Sequence, residues 1–269
     1  MELMHRIASR LQRPFHLLGE WAMTWLHHIG GLGLLTWQVM ISLLLPWRWD
    51  FDGPEIWRTM YRVGVKSFPI VVVTAVLVGA IMVIQSGLYI EEFGAHGLLG
   101  WGAGYSILRS VGPILIGLMF SGRVGANNTA ELGTMKVTDQ IDALRALAID
   151  PVVYLVIPRF LAMVLMMFLL VVVGNFTALI GGAITSQFLL DVNMVLFYQS
   201  VVTYVVLDDL FHGLIKSVAY GFAIAIISCH FGLNTRGGAV GVGRAVNASV
   251  VGSAVAIFVI DYTITYISL

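Results

Sequence analysis

The sequence of 269 residues is poor in charge: lysine, arginine, aspartate and glutamate together make up 11% of it. In a soluble domain these residues make up about 25% of the chain. Hydrophobic residues account for 58% and the mean hydropathy is +0.89, so the chain cannot cover a water-facing surface. This composition predicts an integral membrane protein. The net charge is zero, which gives no indication of a nucleic-acid partner.

Cysteine is nearly absent, since Cys229 is the only one, and an internal disulfide is therefore excluded. Cys229 lies in an apolar segment and is expected to be a buried, unreactive thiol. The histidines are scattered, and none forms with acids or with Cys229 a set that is typical of a metal site. No serine–histidine–acid pattern stands out, although folding could assemble one. We therefore predict no metal site and no catalytic residue in this chain.

A nucleotide-binding loop is also missing, because no G-x-x-x-x-G-K-[ST] occurs anywhere in the sequence. The glycine-rich segment 237–243 ends at Arg244 and opens a membrane span. We interpret it as a tight turn with close helix packing rather than as a phosphate cradle. These observations favour a motor that belongs to a separate protein.

Long apolar runs are the main feature that is present. About 20 apolar residues of helix cross a bilayer, and five segments meet this requirement. The third is too long for a simple span, so it must tilt or extend beyond the bilayer. The five predicted spans are residues 68–90, 105–120 with an extension of small residues, 158–190, 210–233 and 245–269.

Two further apolar segments are ambiguous. Residues 29–47 are uncharged, but arginines and lysines lie on both sides of them. A span would place one basic cluster outside, against the positive-inside rule, so we favour an interfacial or re-entrant segment, which also suits the nearby tryptophans. A span is the alternative. Residues 192–207 are short and bounded by aspartates, and they are predicted to form a helix on the outer face.

The loops between the spans differ in charge. The loop 91–104 has no lysine or arginine, whereas the loops 122–157 and 234–244 contain several. Because lysine and arginine are enriched on the cytoplasmic side, the N-terminus and both basic loops are predicted to be cytoplasmic and the C-terminus to lie outside. The predicted outer loops carry the acids Glu91, Glu92, Asp191, Asp208 and Asp209.

A short amphipathic helix is predicted over residues 138–149, with Thr138 as its N-cap and Asp139 in its first turn. Asp150 and Pro151 end it, because the residue before proline avoids helical geometry. At about 11 residues it is marginal alone in water, so it needs a surface to dock on. That surface belongs either to another protein or to the cytoplasmic face of its own chain. The apolar face contains Ile141, Leu144 and Ala148, with Leu147 beside it.

Two ionisable residues fall within spans. Arg109 lies near the outer end of the second span and Asp261 lies near the outer end of the fifth. Both are therefore ~7–12 Å below the outer surface, at 1.5 Å of rise per residue. Charges at such depth face a partner or a wet cavity, and equal depth with opposite sign predicts that the two residues pair. They form either a polar element at the mouth of a cavity or a structural ion pair; a snorkelling arginine is the third interpretation.

The stretch GRVGANNTAELGTMKVTDQIDAL, residues 122–144, resembles the signature of the MlaE family. Members are membrane permeases of ABC transporters that move phospholipids between bacterial membranes together with MCE-domain proteins. Three further motifs match the family and occur along the chain in the same order as in the family: LRSVGP, GLIKS and GGAVGVGRA. Asp261 matches as well, and the resemblance covers residues 64–269. One position departs from the family: Ser110 stands where an acid usually follows the arginine of the second span.

The resemblance implies an all-α permease of the bacterial inner (cytoplasmic) membrane, with an N-terminal interfacial region over residues 1–66 and a five-span domain over residues 67–269. The N-terminus would be cytoplasmic and the C-terminus periplasmic. The expected partners are a second copy of the chain, two copies of a cytoplasmic ATPase that uses the ATP, an outer-side MCE-domain protein and phospholipid. No cofactor is expected in this chain. The other hypotheses are a membrane anchor for an outer-side complex and a proton-coupled secondary transporter with Asp261 as the relay.

Site residues follow from the resemblance position by position. The segment 138–149 matches the family's coupling helix, which sits in a groove of the ATPase. The predicted ATPase contacts are Glu131, Thr138, Asp139, Ile141, Asp142, Leu144, Arg145 and Leu147. The predicted lipid cavity is lined by Met82, Gln85, Tyr89, Ile90, Phe93, Arg109, Val111 and Asp261. The alternatives are that the polar side chain of Gln85 bonds another helix and that the apolar stripe is core.

Overall fold

The computed structural model describes residues 26, 29–44, 53–94 and 96–268, without the side chains of residues 55, 89–93 and 96. The described residues are almost entirely helical and include no β-strand, which confirms the predicted all-α fold. The α-helices are α1 (Ile29–Leu44), α2 (Gly53–Met60), α3 (Phe68–Phe93), α4 (Leu99–Ser106), α5 (Gly112–Phe120), α6 (Ala126–Val137), α7 (Gln140–Ala146), α8 (Ile157–Leu189), α9 (Met194–Tyr204), α10 (Leu207–Leu233) and α11 (Gly238–Ile267).

The chain divides into two compact units, Met1–Arg48 and Trp49–Leu269. In the first unit the structure describes α1, an apolar helix that is ~24 Å long at 1.5 Å per residue. A hydrocarbon core is about 30 Å thick. The interfacial placement of the segment 29–47 stays a prediction, and residues 45–47 lie outside the described residues. The predicted domain boundary after residue 66 likewise stays a prediction.

Five helical stretches of the second unit are long and apolar enough to cross a membrane, as predicted: Ile56–Leu88, Leu99–Val137, Val152–Leu189, Leu207–Leu233 and Gly238–Ile267. The third has 38 residues, or ~57 Å of helix, so it must tilt or extend beyond a bilayer of ~30 Å. The second contains α4, α5 and α6, joined by the π-helical turns Ile107–Val111 and Ser121–Gly125. A short α9 confirms the predicted helix after Asp191.

The second stretch extends farther than predicted. Residues 122–137 belong to a predicted cytoplasmic loop, but they continue as helix and pack against α10 and α11. The buried hydroxyl of Thr129 donates to the Gly125 carbonyl at 2.9 Å and lies 3.1 Å from the Ser228 carbonyl and 2.9 Å from Ser249 Oγ. Polar residues are thus satisfied between helices, so low hydropathy alone does not indicate a loop here.

Small residues allow the closest helix contacts. A Cβ on Gly79 of α3 would lie 1.8 Å from the Ala178 carbonyl oxygen of α8, so any larger side chain would separate these two spans. At the glycine-rich segment before α11, Gly237 has φ +90° and Gly238 has φ +62°, conformations that glycine adopts without strain. A Cβ on Gly241 would lie 1.9 Å from the Arg236 carbonyl oxygen. The interpretation as a tight turn is confirmed, and the close contact at Gly241 is with the backbone of that turn, so the predicted close helix packing of this segment stays a prediction.

Candidate functional site

Arg109 lies on the π-helical turn Ile107–Val111, and its Nη1 donates to Asp209 Oδ1 at 2.7 Å. The Tyr105 ring centroid is 5.5 Å from the Arg109 Cζ, which adds a cation–π contact. The predicted pair of Arg109 with Asp261 is therefore wrong. The sequence places Asp209 in an outer loop, but α10 begins at Leu207 and brings this carboxylate, which is buried, to the second stretch.

Asp261 pairs instead with Lys216 of α10. Its Oδ1 lies 2.7 Å from Lys216 Nζ and accepts a hydrogen bond from the Tyr220 hydroxyl at 2.7 Å. The Lys216 side chain is 1% exposed and that of Asp261 is 18% exposed. Nζ also donates to Ser110 Oγ at 3.0 Å and to Thr265 Oγ1 at 2.9 Å. Three oxygens thus surround an ammonium group with three donors, which satisfies a buried charge completely.

The two ion pairs form one polar network across three spans. Arg109 and Ser110 are neighbours on the π-helical turn, and their partners Asp209 and Lys216 are seven residues apart on α10. Seven residues are about two helical turns, so both partners face the same side of α10. Asp261 adds α11 to the network. We call these residues the intramembrane network: Arg109, Ser110, Asp209, Lys216, Tyr220, Asp261 and Thr265.

Sequence reasoning misses Lys216 because GLIKS stands out only as a family motif and as a failed nucleotide loop. A signal is present, since a lysine within an apolar span is costly and marks a polar partner or a functional site. Lys216 lies near the middle of the stretch Leu207–Leu233. The partner cannot be read from the sequence, because Asp261 is 45 residues away along the chain, on a helix whose rotation about its own axis the sequence does not define.

The predicted cavity residues separate into three groups. Arg109, Val111 and Asp261 lie in or beside the intramembrane network. Met82 packs against a buried cluster that includes Val83, which agrees with the alternative that the apolar stripe is core. Gln85, in contrast, is exposed on α3. The side chains of Tyr89, Ile90 and Phe93 lie outside the described residues, so their role stays a prediction.

The short helix is displaced from its predicted bounds. Helix α7 covers Gln140–Ala146 rather than residues 138–149. Thr138 is not its N-cap: the Thr138 hydroxyl donates to the Thr134 carbonyl at 2.8 Å and closes α6. Asp139 occupies the N-cap position with φ +59°. Ala148, also at φ +59°, interrupts the helical geometry, so α7 ends before Asp150.

Asp150 and Pro151 begin the following helical stretch rather than end α7. Asp150 Oδ1 accepts a hydrogen bond from the Val152 amide at 2.9 Å, which is N-cap chemistry. Proline follows at the first helical position, where its missing amide hydrogen costs nothing. The predicted boundary at this dipeptide therefore exists, but it belongs to the other helix.

The apolar face of α7 is turned toward its own chain. Ile141 is 1% exposed and Leu144 is half-buried, so the expectation that this face meets a partner is wrong for Ile141. Leu147 is 72% exposed and remains available, together with Arg145. Lys136 Nζ donates to Asp142 Oδ2 at 2.8 Å and Arg145 Nη1 to Asp142 Oδ1 at 3.0 Å. The hydrogen bond from Lys136 lowers the pKa of Asp142 below its ordinary value, so the carboxylate holds α7 against α6.

Glu131 does not lie on α7. It lies on α6, where it accepts hydrogen bonds from Arg62 at 3.1 Å and from Asn127 at 2.9 Å, and it is 3.6 Å from Arg159. Its described partners belong to its own chain. Across the described residues, no group of three or more histidine, cysteine or acidic side chains is arranged to hold a metal ion.

Comparison with known proteins identifies the family. A family model described as Permease MlaE matches residues 56–267. A probable ABC transporter permease protein of Rickettsia prowazekii is 36% identical over 250 residues, 93% of this chain and 95% of that protein. A probable ABC transporter permease protein of Synechocystis sp. is 36% identical over 243 residues, 90% of this chain and 91% of that protein. The chloroplastic protein TRIGALACTOSYLDIACYLGLYCEROL 1 of Arabidopsis thaliana is 32% identical over 239 residues, 86% of this chain and 65% of that protein.

These matches confirm the resemblance that the motifs carried, and they cover the second compact unit almost completely. The helical stretches fit a protein that crosses the membrane several times, and an ABC transporter permease implies an ATPase partner. The chain belongs to the MlaE family and is an ABC transporter permease.

Proposed function

We propose that the chain moves phospholipid as a homodimer in the bacterial inner membrane, driven by ATP hydrolysis in a separate cytoplasmic ATPase subunit. One observation carries the proposal: the helical stretch Leu99–Val137 joins the intramembrane network to α7. A helix of 39 residues, ~58 Å long, links the membrane interior to the short helix where a motor would act. A permease without a nucleotide loop needs such a link.

Phospholipid is the proposed substrate because two spans, one that belongs to the network and one that does not, each have a polar side chain within an apolar surface. On α11, the polar residue Asp261 has the exposed neighbours Phe258 and Tyr262. On α3, the exposed Gln85 has the exposed neighbours Ile81 and Leu88. A polar group within an apolar surface suits an amphipathic molecule, whose headgroup and acyl chains need both. The name of the Arabidopsis relative contains trigalactosyldiacylglycerol, a glycerolipid with a sugar headgroup and no phosphate, so it supports a glycerolipid substrate and not phospholipid in particular.

The homodimer supplies the rest of the cavity. Exposed apolar residues of α3 and α11 would either face lipid or pack against a second copy, and a twofold axis would place two networks and two α7 helices in one assembly. Two ATPase subunits would then act on the two α7 helices. An MCE-domain protein on the outer side would receive or deliver the lipid. Asp261 is poorly suited to act alone as a proton relay, because Lys216 and Tyr220 already hold its carboxylate.

The proposal is tested by purification from native membrane with mass spectrometry of subunits and bound lipids, followed by reconstitution of the complex in liposomes. We expect an ATPase subunit, an MCE-domain protein and phospholipid to co-purify, and labelled phospholipid to move to an acceptor only when ATP is hydrolysed. Co-purification of the ATPase without ATP-dependent phospholipid movement would contradict the proposed substrate. Purification without any ATPase would contradict the proposed motor.

A further inference from the structure

A cavity of about 590 Å³ lies in the second unit, away from the intramembrane network. Its walls come from residues 59–67 before α3, from residues 123–131 of the second stretch, and from the start of α8. Ligand pockets in proteins have volumes of roughly 300–1,000 Å³. The cavity therefore has the size of a ligand site, and it shares no residue with the intramembrane network.

The cavity is strongly positive. Four cations line it, Arg62, Lys66, Arg123 and Arg159, against the carboxylate of Glu131. Arg62 and Arg159 share that carboxylate, at 3.1 Å and 3.6 Å. Lys66 and Arg123 have no ion-pair partner among the described residues. Two uncompensated cations in a concave site attract an anion.

A buried hydroxyl points to the same kind of ligand. Ser67 lines the cavity and is 2% exposed. Its Oγ is buried and has no hydrogen-bond partner among the described residues. A buried polar group without a partner is destabilising, and such groups are rare in folded proteins. The Ser67 Oγ is closed off from the cavity in this conformation, so a rotation of the side chain would have to turn the hydroxyl toward an oxygen acceptor there. The two cations that line the cavity without an ion-pair partner among the described residues, Lys66 and Arg123, select an anionic acceptor.

The position of the cavity along the spans identifies the source of the anion. Lys66 lies two residues before the apolar run that begins at Phe68, and Arg123 lies three residues after the run that ends at Phe120. Arg159 lies at the start of α8. Lys66 and Arg123 therefore lie where apolar sequence changes to polar sequence, which is the level of lipid headgroups, and Arg159 lines the same cavity from within the stretch Val152–Leu189. The loop charges predict that this level is the cytoplasmic one.

We propose that this cavity binds the phosphate of an anionic glycerophospholipid from the cytoplasmic leaflet. Lys66 and Arg123 supply the charged contacts, since charge-assisted hydrogen bonds to phosphate are the strongest ones available to these side chains. Ser67 donates a further hydrogen bond. The choice of a phospholipid as the ligand rests on the proposed function. The cavity differs from the predicted lipid cavity in its depth in the membrane and in its charge.

The test uses the full complex in nanodiscs made of phosphatidylcholine with increasing phosphatidylglycerol, with bound lipid counted by native mass spectrometry. The first variant is a double substitution, Lys66→Gln with Arg123→Gln, and the second is the single substitution Ser67→Ala. The matched control is Arg58→Gln, an exposed cation of the same region that does not line the cavity. We expect the double variant to weaken phosphatidylglycerol binding by about tenfold and Ser67→Ala to weaken it severalfold, with Arg58→Gln unchanged.

Ser67→Ala keeps the proposal testable if the double variant does not fold, since its hydroxyl makes no described bond that the fold would lose. Equal binding of diacylglycerol, which lacks phosphate, would overturn the proposal. Displacement of phosphatidylglycerol by millimolar inorganic phosphate, with tight binding of phosphate alone, would identify a free phosphate instead. Unchanged lipid binding with loss of the ATPase from the double variant would identify a protein contact and overturn the lipid site.

Failure of this inference is distinct from failure of the proposed function. Lipid transfer by the wild-type complex without any effect of the variants on binding would overturn the cavity and leave phospholipid transport standing. Loss of binding in the variants of a complex that never transfers phospholipid would support the cavity and contradict transport.

Discussion

The two ion pairs of the intramembrane network are expected to be energetically separate, with coupling between the two residues of each pair. Lys216→Met would remove the ammonium and leave Asp261 with the Tyr220 hydroxyl. Asp261→Asn would leave the ammonium buried without an anion. Removing one member of a buried pair costs about 3–5 kcal/mol. Because Asp261 is partly exposed, we expect each single loss to fall near the lower end of that range, roughly 3 kcal/mol.

The double variant should lose less than the two single losses added together, since it buries no unpaired charge. We expect a coupling free energy of about 2 kcal/mol for Lys216 with Asp261, well above the ~0.5 kcal/mol of independent sites. The same value is expected for Arg109→Gln with Asp209→Asn, whose atoms are 2.7 Å apart. The crossed pair, Arg109→Gln with Asp261→Asn, is the matched control and should be close to additive. Each free energy of unfolding is measured by denaturant titration in one detergent.

Strict additivity for Lys216 with Asp261 would refute the pairing. Coupling in the crossed pair as large as in the two direct pairs would show that the four charges act as a single unit. Either result would contradict the division of the network into two ion pairs.

Three further predictions concern α7, the packing of α10 and the unusual residue of the network. Leu147→Asp replaces an exposed apolar side chain with a charge, and we expect the variant to insert into the membrane but to lose the ATPase in pull-downs. The control is Gln140→Asp, at a residue that is also exposed, and it should retain the ATPase. Full retention of the ATPase by Leu147→Asp would exclude Leu147 from the contact. A Cβ at Gly213 would lie 2.0 Å from the Leu108 carbonyl oxygen, so Gly213→Ala should lower the free energy of unfolding by more than about 1 kcal/mol. The control is Gly243→Ala, whose Cβ would meet open space and which should not lower it. Equal stabilities of the two variants would exclude the close contact at Gly213. Ser110→Ala removes one of the three oxygens around the Lys216 ammonium and should lower the free energy of unfolding by about 1–3 kcal/mol, since it leaves a buried donor without a partner; an unchanged stability would contradict the contact of residue 110 with Lys216.

The fold is largely predictable from the sequence because the signal is local. Each predicted span contains a long apolar run, and the length of that run separates it from a loop, whereas the polar extension 122–137 lacks this signal. The tight turn at Gly237 and the boundary at Asp150 are also local, since both depend on the conformations of one or two residues. The boundary is nevertheless easily assigned to the wrong helix, because an aspartate followed by proline can either end the preceding helix or begin the following one.

The pairing of charges cannot be predicted in the same way. A shift of only three residues in the start of α10, from 210 to Leu207, moves Asp209 from a loop into the intramembrane network and changes the partner of Arg109. Whether Ile141 faces its own chain depends on the neighbouring α6 and not on the periodicity of α7. Depth and charge sign limit the possible partners, but the rotation of each helix about its axis decides among them.

The proposed movement of phospholipid, driven by ATP hydrolysis in a partner, can be measured directly. The measurement is the rate of labelled phospholipid transfer from proteoliposomes that contain the permease and its ATPase to an MCE-domain acceptor, with ATP or a non-hydrolysable analogue. We predict transfer with ATP, none with the analogue, and a strong reduction in Lys216→Met while the ATPase stays bound. Transfer at the same rate with and without hydrolysis would contradict the proposed function.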